Sequence, residues 1–296
     1  CVLETATQPS FSMKALISFF FKLILFWLCL FALQHALFLS INSEQLTGYS
    51  TAEVASSFFY SFPMDLSASG YLLLLPTILI FISLFTKQKA RLISSIHIIN
   101  ITLILCCLII GIADLGLYLD WGSKINGKAI SYLAFPMKAA ASLSAIQYLQ
   151  FGILLTIQAI AAIYIYKKRI QLSIPTSLIT WQKVLFIPVV IFVLLLFIRG
   201  GLQTFPIGKS WVYYSKNATL NYSAVNGFWN FMDIFANPVI KNNPYNYFSN
   251  EKANSLVREM HPELSDTTTQ ILKSDIPNIV FIILEIAHVA KVNAKP

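Results

Sequence analysis

The residue with the clearest chemical potential is Glu285, which ends an apolar run near the end of the sequence. The run is Pro277-Asn278-Ile279-Val280-Phe281-Ile282-Ile283-Leu284-Glu285. Six consecutive large apolar residues, most of them β-branched or aromatic, predict a short strand buried on both faces. Open α/β sheets build their active sites at the carboxyl ends of such strands, and a carboxylate oxygen is a hard ligand suited to a divalent cation. On its own, Glu285 is more simply a polar residue that ends an apolar run.

Other ionisable side chains offer weaker signals. His288 follows Glu285 by three residues, and on a strand that leaves a sheet this spacing does not bring both side chains to one ion. His35, His97 and Asp114 lie in apolar segments and are the candidates for an intramembrane site. A lone histidine on a helix is more often a packing residue than a proton relay. Asp114 is predicted near the outer interface.

The composition predicts an α-helical membrane protein. Hydrophobic residues make up 56% of the 296 residues and charged ones 11%, whereas soluble domains carry about 25% charged residues. The net charge is +8, and residues 1–198 hold 12 Lys or Arg against 6 Asp or Glu, compared with 9 against 7 in residues 199–296. The basic excess therefore follows the membrane part. We expect no nucleic-acid partner, because no basic face with interleaved aromatic residues is present.

Five segments are apolar enough to cross about 30 Å of hydrocarbon, which takes roughly 20 residues in a helix. Pro76 and Pro188 fall inside two of them, and membrane helices tolerate such kinks. The predicted spans are Phe19–Leu39, Ser67–Phe85, Ile96–Leu115, Ala145–Tyr166 and Trp181–Ile198.

Basic residues predict the orientation of these spans, because cytoplasmic flanks are enriched in Lys and Arg. From Met13 on, one set of flanks holds eight basic residues and no acidic ones: Lys14, Lys87, Lys89, Arg91, Lys167, Lys168, Arg169 and Lys183. The alternate loop 40–66 has three acidic residues and no basic ones. We therefore expect a cytoplasmic N-terminus in a bacterial plasma membrane, with the chain after Arg199 outside.

This pattern divides the chain into four parts. Residues 1–12 are interpreted as an upstream extension before a start at Met13, and residues 13–198 as the transmembrane domain. Residues 199–276 are predicted to form an external juxtamembrane linker, in which Asn250 caps a helix that runs to about Met260. Residues 277–296 are interpreted as the start of a truncated α/β domain.

Three motifs in this order resemble the lipoteichoic acid synthase-like (phosphoglycerol transferase) branch of the alkaline phosphatase/sulfatase superfamily. They are Ile198-Arg199-Gly200-Gly201-Leu202-Gln203, then Ala224-Val225-Asn226-Gly227-Phe228-Trp229-Asn230-Phe231, then the run from Pro277 to Glu285. The resemblance implies five membrane helices, a juxtamembrane linker and an external sulfatase-like domain, of which this chain covers only the first strand.

By this resemblance, Glu285 would be a ligand of a divalent metal ion such as manganese. In the family, a threonine nucleophile comes downstream of this Glu and attacks the phosphorus of a lipid-linked phospho-headgroup. Further Asp and His metal ligands come later still. Membrane lipids and such a phospho-headgroup substrate are the partners implied. The family continues after the Glu with a small residue and an aromatic one, whereas this chain has Ile286-Ala287-His288-Val289. We expect a frame break or truncation there, which leaves the chain itself inactive.

Two alternatives stay open at this point. A phosphoethanolamine transferase-like enzyme has similar topology, but it places a threonine directly after the Glu and carries external cysteines, whereas Ile286 follows Glu285 here and residues 199–296 contain no Cys. The other alternative is a non-enzymatic membrane protein or a small transporter, complete as written.

Overall fold

The computed structural model describes residues 13–132, 144–170, 172, 180–237 and 247–260. The predicted strand, Glu285 and His288 lie outside these residues. The chain divides into two units, Cys1–Val239 and Ile240–Pro296. The helices of the first unit are α1 Met13–Ile41, α2 Thr51–Ser83, α3 Lys89–Trp121, α4 Gly127–Ser131, α5 Ala145–Arg169, α6 Thr180–Arg199, α7 Lys209–Val212, α8 Ala218–Ala224 and α9 Gly227–Ala236, with a 3₁₀ turn at Ser43–Leu46.

The long helices follow from apolar runs with local start and stop signals. A helix satisfies its own backbone groups, so it can cross hydrocarbon without leaving N–H or C=O groups unpaired. Ser50 and Glu53 form a capping box before α2, and Ser144 and Gln147 form another before α5. Helix α3 ends at Gly122, whose φ of 63° is the left-handed conformation that glycine adopts freely.

Four helices, α1, α2, α3 and α5, are long and apolar enough to cross a membrane. The prediction of an α-helical membrane protein is confirmed, with four candidate membrane spans among the described residues. The count of five is not reached among the described residues: the predicted span Trp181–Ile198 lies in α6, but its apolar part is the shorter Leu185–Arg199. Helix α2 also begins at Thr51 rather than Ser67.

Neighbouring long helices run in opposite directions. The Phe186 ring of α6 lies 6.2 Å from the Phe20 ring and 6.3 Å from the Phe81 ring, measured between centroids. Phe20 is near the start of α1 and Phe81 near the end of α2, so these helix ends meet at one end of the bundle, hereafter the basic end. At the opposite end, the Ser67 hydroxyl of α2 donates to the carbonyl of Ile198 in α6 at 2.6 Å.

Helices α2 and α6 approach closely because α2 presents small residues at their contact. A Cβ atom added to Gly70 would lie 3.0 Å from the backbone nitrogen of Ile198 and 3.0 Å from Cβ of Phe197. Without a hydrophobic driving force between helices in lipid, such close van der Waals contact is a main source of association.

The chain turns sharply after α6. Gly200 and Gly201 have φ values of 82° and 130°, which only glycine adopts without strain. The Arg199 guanidinium then donates to the carbonyl of Gln203 at 2.9 Å and to that of Thr204 at 2.6 Å. This arginine therefore closes a loop of its own chain.

The segment after this loop folds back onto the bundle. We call residues 207–237 the cap. Ile207, Val212, Ala224 and Val225 of the cap form a buried apolar cluster with Met64 of α2. The cap helices also contact α1, α2 and α3. This part of the predicted linker is thus packed structure.

The second unit contains α10, Asn250–Met260, which matches the helix predicted there. Its first backbone bond runs from the N–H of Ala253 to the carbonyl of Ser249 at 2.9 Å. Ser249 is therefore the N-cap residue of this helix, a position that the sequence predicted for Asn250.

Replacing Gly70 by valine tests the α2–α6 contact. The added atoms overlap the α6 backbone, so we expect the free energy of unfolding to fall by about 1–3 kcal/mol, the usual cost of overpacking. Gly152→Val in α5 is the matched control, because no atom lies within 4 Å of a Cβ there and the helix propensity changes equally. Reversible unfolding by SDS in mixed micelles measures both, and equal losses would contradict the packing argument.

Candidate functional site: a buried polar cluster beneath the cap

The centre of the candidate site is a pair formed by His35 of α1 and Asp65 of α2. Nε2 of His35 lies 3.0 Å from Oδ1 and 3.1 Å from Oδ2 of Asp65. Both residues are buried, with exposed fractions of 5% and 4%. Because an unpaired charge is costly in an apolar interior, the two groups hold each other in place.

The hydrogen-bond partners fix how many protons the pair holds. Nδ1 of His35 lies 2.6 Å from the carbonyl oxygen of Ser223, which can only accept, so Nδ1 carries a proton. A second proton then lies between Nε2 and the Asp65 carboxyl group. In either location the pair is neutral overall. His35, a candidate for an intramembrane site from the sequence, is thus not a lone histidine but is paired with Asp65.

Two further donors complete the Asp65 site. Nδ2 of Asn226 donates to Oδ1 of Asp65 at 2.7 Å, and the Ser61 hydroxyl donates to Oδ2 at 3.1 Å. Both oxygens of Asp65 therefore accept a hydrogen bond from outside the pair. Asn226 also begins α9, since its Oδ1 accepts from the N–H of Trp229 at 2.9 Å. One side chain therefore joins the cap to the buried carboxylate.

A second buried ion pair lies under the same segment of the cap. Nζ of Lys124 is 2.9 Å from Oδ2 of Asp114, and the N–H of Ile125 donates to Oδ1 at 2.8 Å. Lys124 also donates to the carbonyl of Val225 at 2.6 Å. Asp114 was predicted at the membrane interface. The structure places it near the end of α3, as expected, but 3% exposed and covered by the cap.

Residues of α9 fit closely against this second pair. A Cβ on Gly227 would lie 3.1 Å from Oδ2 of Asp114, so glycine leaves room for the carboxylate. Nδ2 of Asn230 donates to the carbonyl of Ile125 at 2.8 Å. Asn226, Gly227 and Asn230 belong to one of the motifs described above. They lie where the cap contacts Asp65, Asp114 and the carbonyl of Ile125.

A cavity of about 30 Å³ separates the two ion pairs. His35, Asp114, Lys124 and Asn226 line it together with the amide side chains of Gln34 and Gln158. This volume and these polar walls suit one or two water molecules. It is too small for a metabolite, since ligand sites measure hundreds of Å³.

Hydroxyl groups attach other parts of the cap. Tyr118 of α3 donates to Oγ1 of Thr219 at 2.9 Å, and that hydroxyl lies 2.8 Å from Oε1 of Gln45. The Tyr214 hydroxyl donates to the carbonyl of Glu53 at 2.9 Å. Burial raises the pKa of the Tyr214 phenol, which keeps it a neutral donor at physiological pH.

The remaining predicted residues do not join the cluster. Nδ1 of His97 lies 2.8 Å from the hydroxyl of Tyr166, a packing contact between α3 and α5 as the sequence suggested. Glu285 and His288 lie outside the described residues. Within the described part of the chain, no group of three or more His, Cys, Asp or Glu side chains is placed to hold a metal ion.

The sequence pattern did not predict that the cluster also contains Asp65, Lys124, Asn226 and Asn230. Asp65 was counted above only among the three acidic residues of loop 40–66. The available signal was a pair of acidic residues and a pair of asparagines in otherwise apolar surroundings. The four ionisable groups of the cluster are paired, and hydrogen bonds from Asn226 to Asp65 and from Lys124 to Val225 attach the cap to the helices.

Removing one member of the central pair should be strongly destabilising. For His35→Phe we expect the free energy of unfolding to fall by about 3–5 kcal/mol, because a buried carboxylate loses its counter-charge. Asp233→Ala is the control, since its ion pair with Lys209 is partly exposed (37% for Lys209 and 24% for Asp233) and such pairs contribute about 0–1 kcal/mol. SDS unfolding in mixed micelles compares the two.

The double variant His35→Phe/Asp65→Leu sharpens this comparison. It removes both charges together, so its loss should be clearly smaller than the sum of the two single losses. Strict additivity would show that the two side chains do not interact in the folded protein.

Comparison with known proteins adds no family to this picture. No family model matches the chain, and no curated protein or solved structure matches it either.

Proposed function

We propose that this chain is the membrane-anchoring part of an extracytoplasmic enzyme of the sulfatase superfamily, of the phosphoglycerol transferase-like type. The support is the order of parts along the chain. An apolar helical bundle comes first, then the cap, and then the apolar run that ends in Glu285. Such an enzyme transfers or hydrolyses the phospho-headgroup of a lipid-linked substrate.

The observation that carries this proposal is the attachment of the cap through buried polar groups. A flexible linker would need neither the hydrogen bond from Asn226 to Asp65 nor the one from Lys124 to Val225. A segment that supports a following domain would be fixed to the helices by such bonds. An enzyme that acts on headgroups must be held at a fixed height above the bilayer. The cap is fixed to the helices in this way, and the proposed domain that starts at Pro277 follows it in the sequence.

The orientation is part of the proposal. The flanks at the basic end carry Lys14, Lys87, Lys168 and Arg169, and by the positive-inside rule this end faces the cytoplasm. The cap, at the opposite end of the bundle, then lies outside. A fifth crossing through α6 follows from this orientation.

Glu285 is proposed as the metal ligand, with manganese as the ion. When bound, such an ion neutralises phosphate charge and lowers the pKa of the nucleophile. One carboxylate alone does not make a tight site. We therefore expect no tight metal binding by this chain.

The second candidate is a proton-coupled transporter, which the buried His35–Asp65 and Asp114–Lys124 pairs favour. Ionisable residues inside a membrane bundle are functional by default. Against this, the cavity between the pairs is only about 30 Å³, and His35, Asp65, Asp114 and Lys124 each have a partner in the protein. We favour the anchor because these contacts join the cap to the helices.

Sequencing the gene beyond codon 296 in all three frames tests the proposed function. A downstream frame that encodes a threonine nucleophile followed by Asp and His ligands is the expected result. Unrelated sequence in every frame would contradict the enzyme and favour the transporter.

Reporter fusions test the orientation. A periplasm-active phosphatase fused after Asn237 should be active, and a green fluorescent protein fused there should be dark. Fusions after Arg169 should give the opposite pattern. Fluorescence at Asn237 would reverse the orientation and remove the external platform.

The purified chain should not hydrolyse a chromogenic phosphodiester in the presence of manganese, because the nucleophile implied by the resemblance is not among its residues. The control is Glu285→Ala. Turnover that this substitution abolishes would show a complete active site and overturn the view of the chain as an anchor.

A further inference from the structure

A second cavity, of about 310 Å³, lies between α1 and α5, and Gln158 lines both this cavity and the smaller polar one. Helix α5 packs more on α3 than on α1, which leaves this side of the bundle open. The walls of the cavity are almost entirely apolar, and we call it the lateral groove. Its side walls include Phe26, Leu30 and Leu33 of α1 and Ala161, Ala162 and Ile165 of α5.

Two cations stand at the basic end of the lateral groove. Lys22 of α1 and Arg169 of α5 both line it, and both are exposed. Across the described residues, neither side chain forms an ion pair. They lie on opposite walls, since one belongs to each helix, and the groove therefore combines an apolar interior with a positively charged mouth.

This combination selects one class of ligand. Water does not fill an apolar space of this kind, and in a bilayer the nearest molecules are lipid chains. Two cations beside such a space attract a phosphate group, and basic pockets between membrane helices are known to take anionic headgroups. An acyl chain and a phosphate joined in one molecule satisfy both parts of the groove together.

We propose that the lateral groove binds one anionic glycerophospholipid, with an acyl chain against α1 and α5 and its phosphate at Lys22 and Arg169. The lipid comes from the leaflet at the basic end of the bundle. It fills the gap between two helices that contact each other little and so joins α5 to α1. This inference goes beyond the proposed function and does not depend on it.

Native mass spectrometry of the purified 296-residue chain in detergent, titrated with phosphatidylglycerol, tests the charged part of the groove. One lipid should bind per chain, and phosphatidylcholine should bind at least tenfold more weakly. Lys22→Gln and Arg169→Gln should each weaken phosphatidylglycerol binding about fivefold, which is the contribution of one basic residue near a membrane surface. Lys167→Gln is the matched control, because Lys167 is exposed at the same end but does not line the groove.

Ala161→Phe tests the apolar part while leaving both cations in place. It should reduce lipid binding at least tenfold by filling the groove. Ile157→Phe adds an aromatic ring to an exposed position of the same helix outside the groove and should change binding less than twofold. SDS unfolding checks that both variants remain folded.

Three results would overturn the proposal. Equal binding of phosphatidylcholine would remove the role of the cations. An equal loss in Lys167→Gln would show only general surface attraction. A dimer cross-linked by oxidation through Cys29, which lines the groove, in a chain with its other cysteines replaced by alanine, would show that a second copy of the chain occupies it.

Discussion

The structure depends on one constraint: the Asp65 carboxylate lies inside an apolar bundle and must be paired. His35 supplies the counter-charge from α1, Ser61 supplies a donor from α2 itself, and Asn226 supplies one from the cap. Each donor comes from a different place in the chain, so meeting this requirement fixes α1, α2 and the start of α9 relative to one another. A net stability of about 5–15 kcal/mol makes a buried charge of this kind decisive.

The second ion pair likewise gives a buried carboxylate a cationic partner, on the other side of a small polar cavity. Asp114 and Lys124 belong to α3 and the turn after it, and the carbonyl of Val225 accepts from the lysine. Val225 and Asn226 are neighbours, so a single short stretch of the cap completes both pairs. The helices need the cap to satisfy their buried polar groups, and the cap needs the helices because its own apolar cluster includes Met64 of α2.

Sequence reasoning located the long helices because length and hydropathy are local properties. It predicted the membrane span from Ser67 on, whereas the helix that contains this span starts at Thr51, behind the capping box of Ser50 and Glu53. It identified His35 and Asp114 as ionisable residues in apolar surroundings but not their partners. Asp65 is 30 residues from His35 and 161 from Asn226, and no periodic pattern marks pairings over such distances. The strand that ends in Glu285 stays a prediction.

The short separation between His35 and Asp65 has a consequence for how the protein enters the membrane. A single charged residue at the centre of an inserting helix costs about 2.5–3.5 kcal/mol. Helices α1 and α2 are consecutive and antiparallel, so they can enter the bilayer as a hairpin in which His35 and Asp65 already pair. Asn226 lies 161 residues after Asp65 and is synthesised much later, so the hydrogen bond from the cap can form only after both members of the pair have been made.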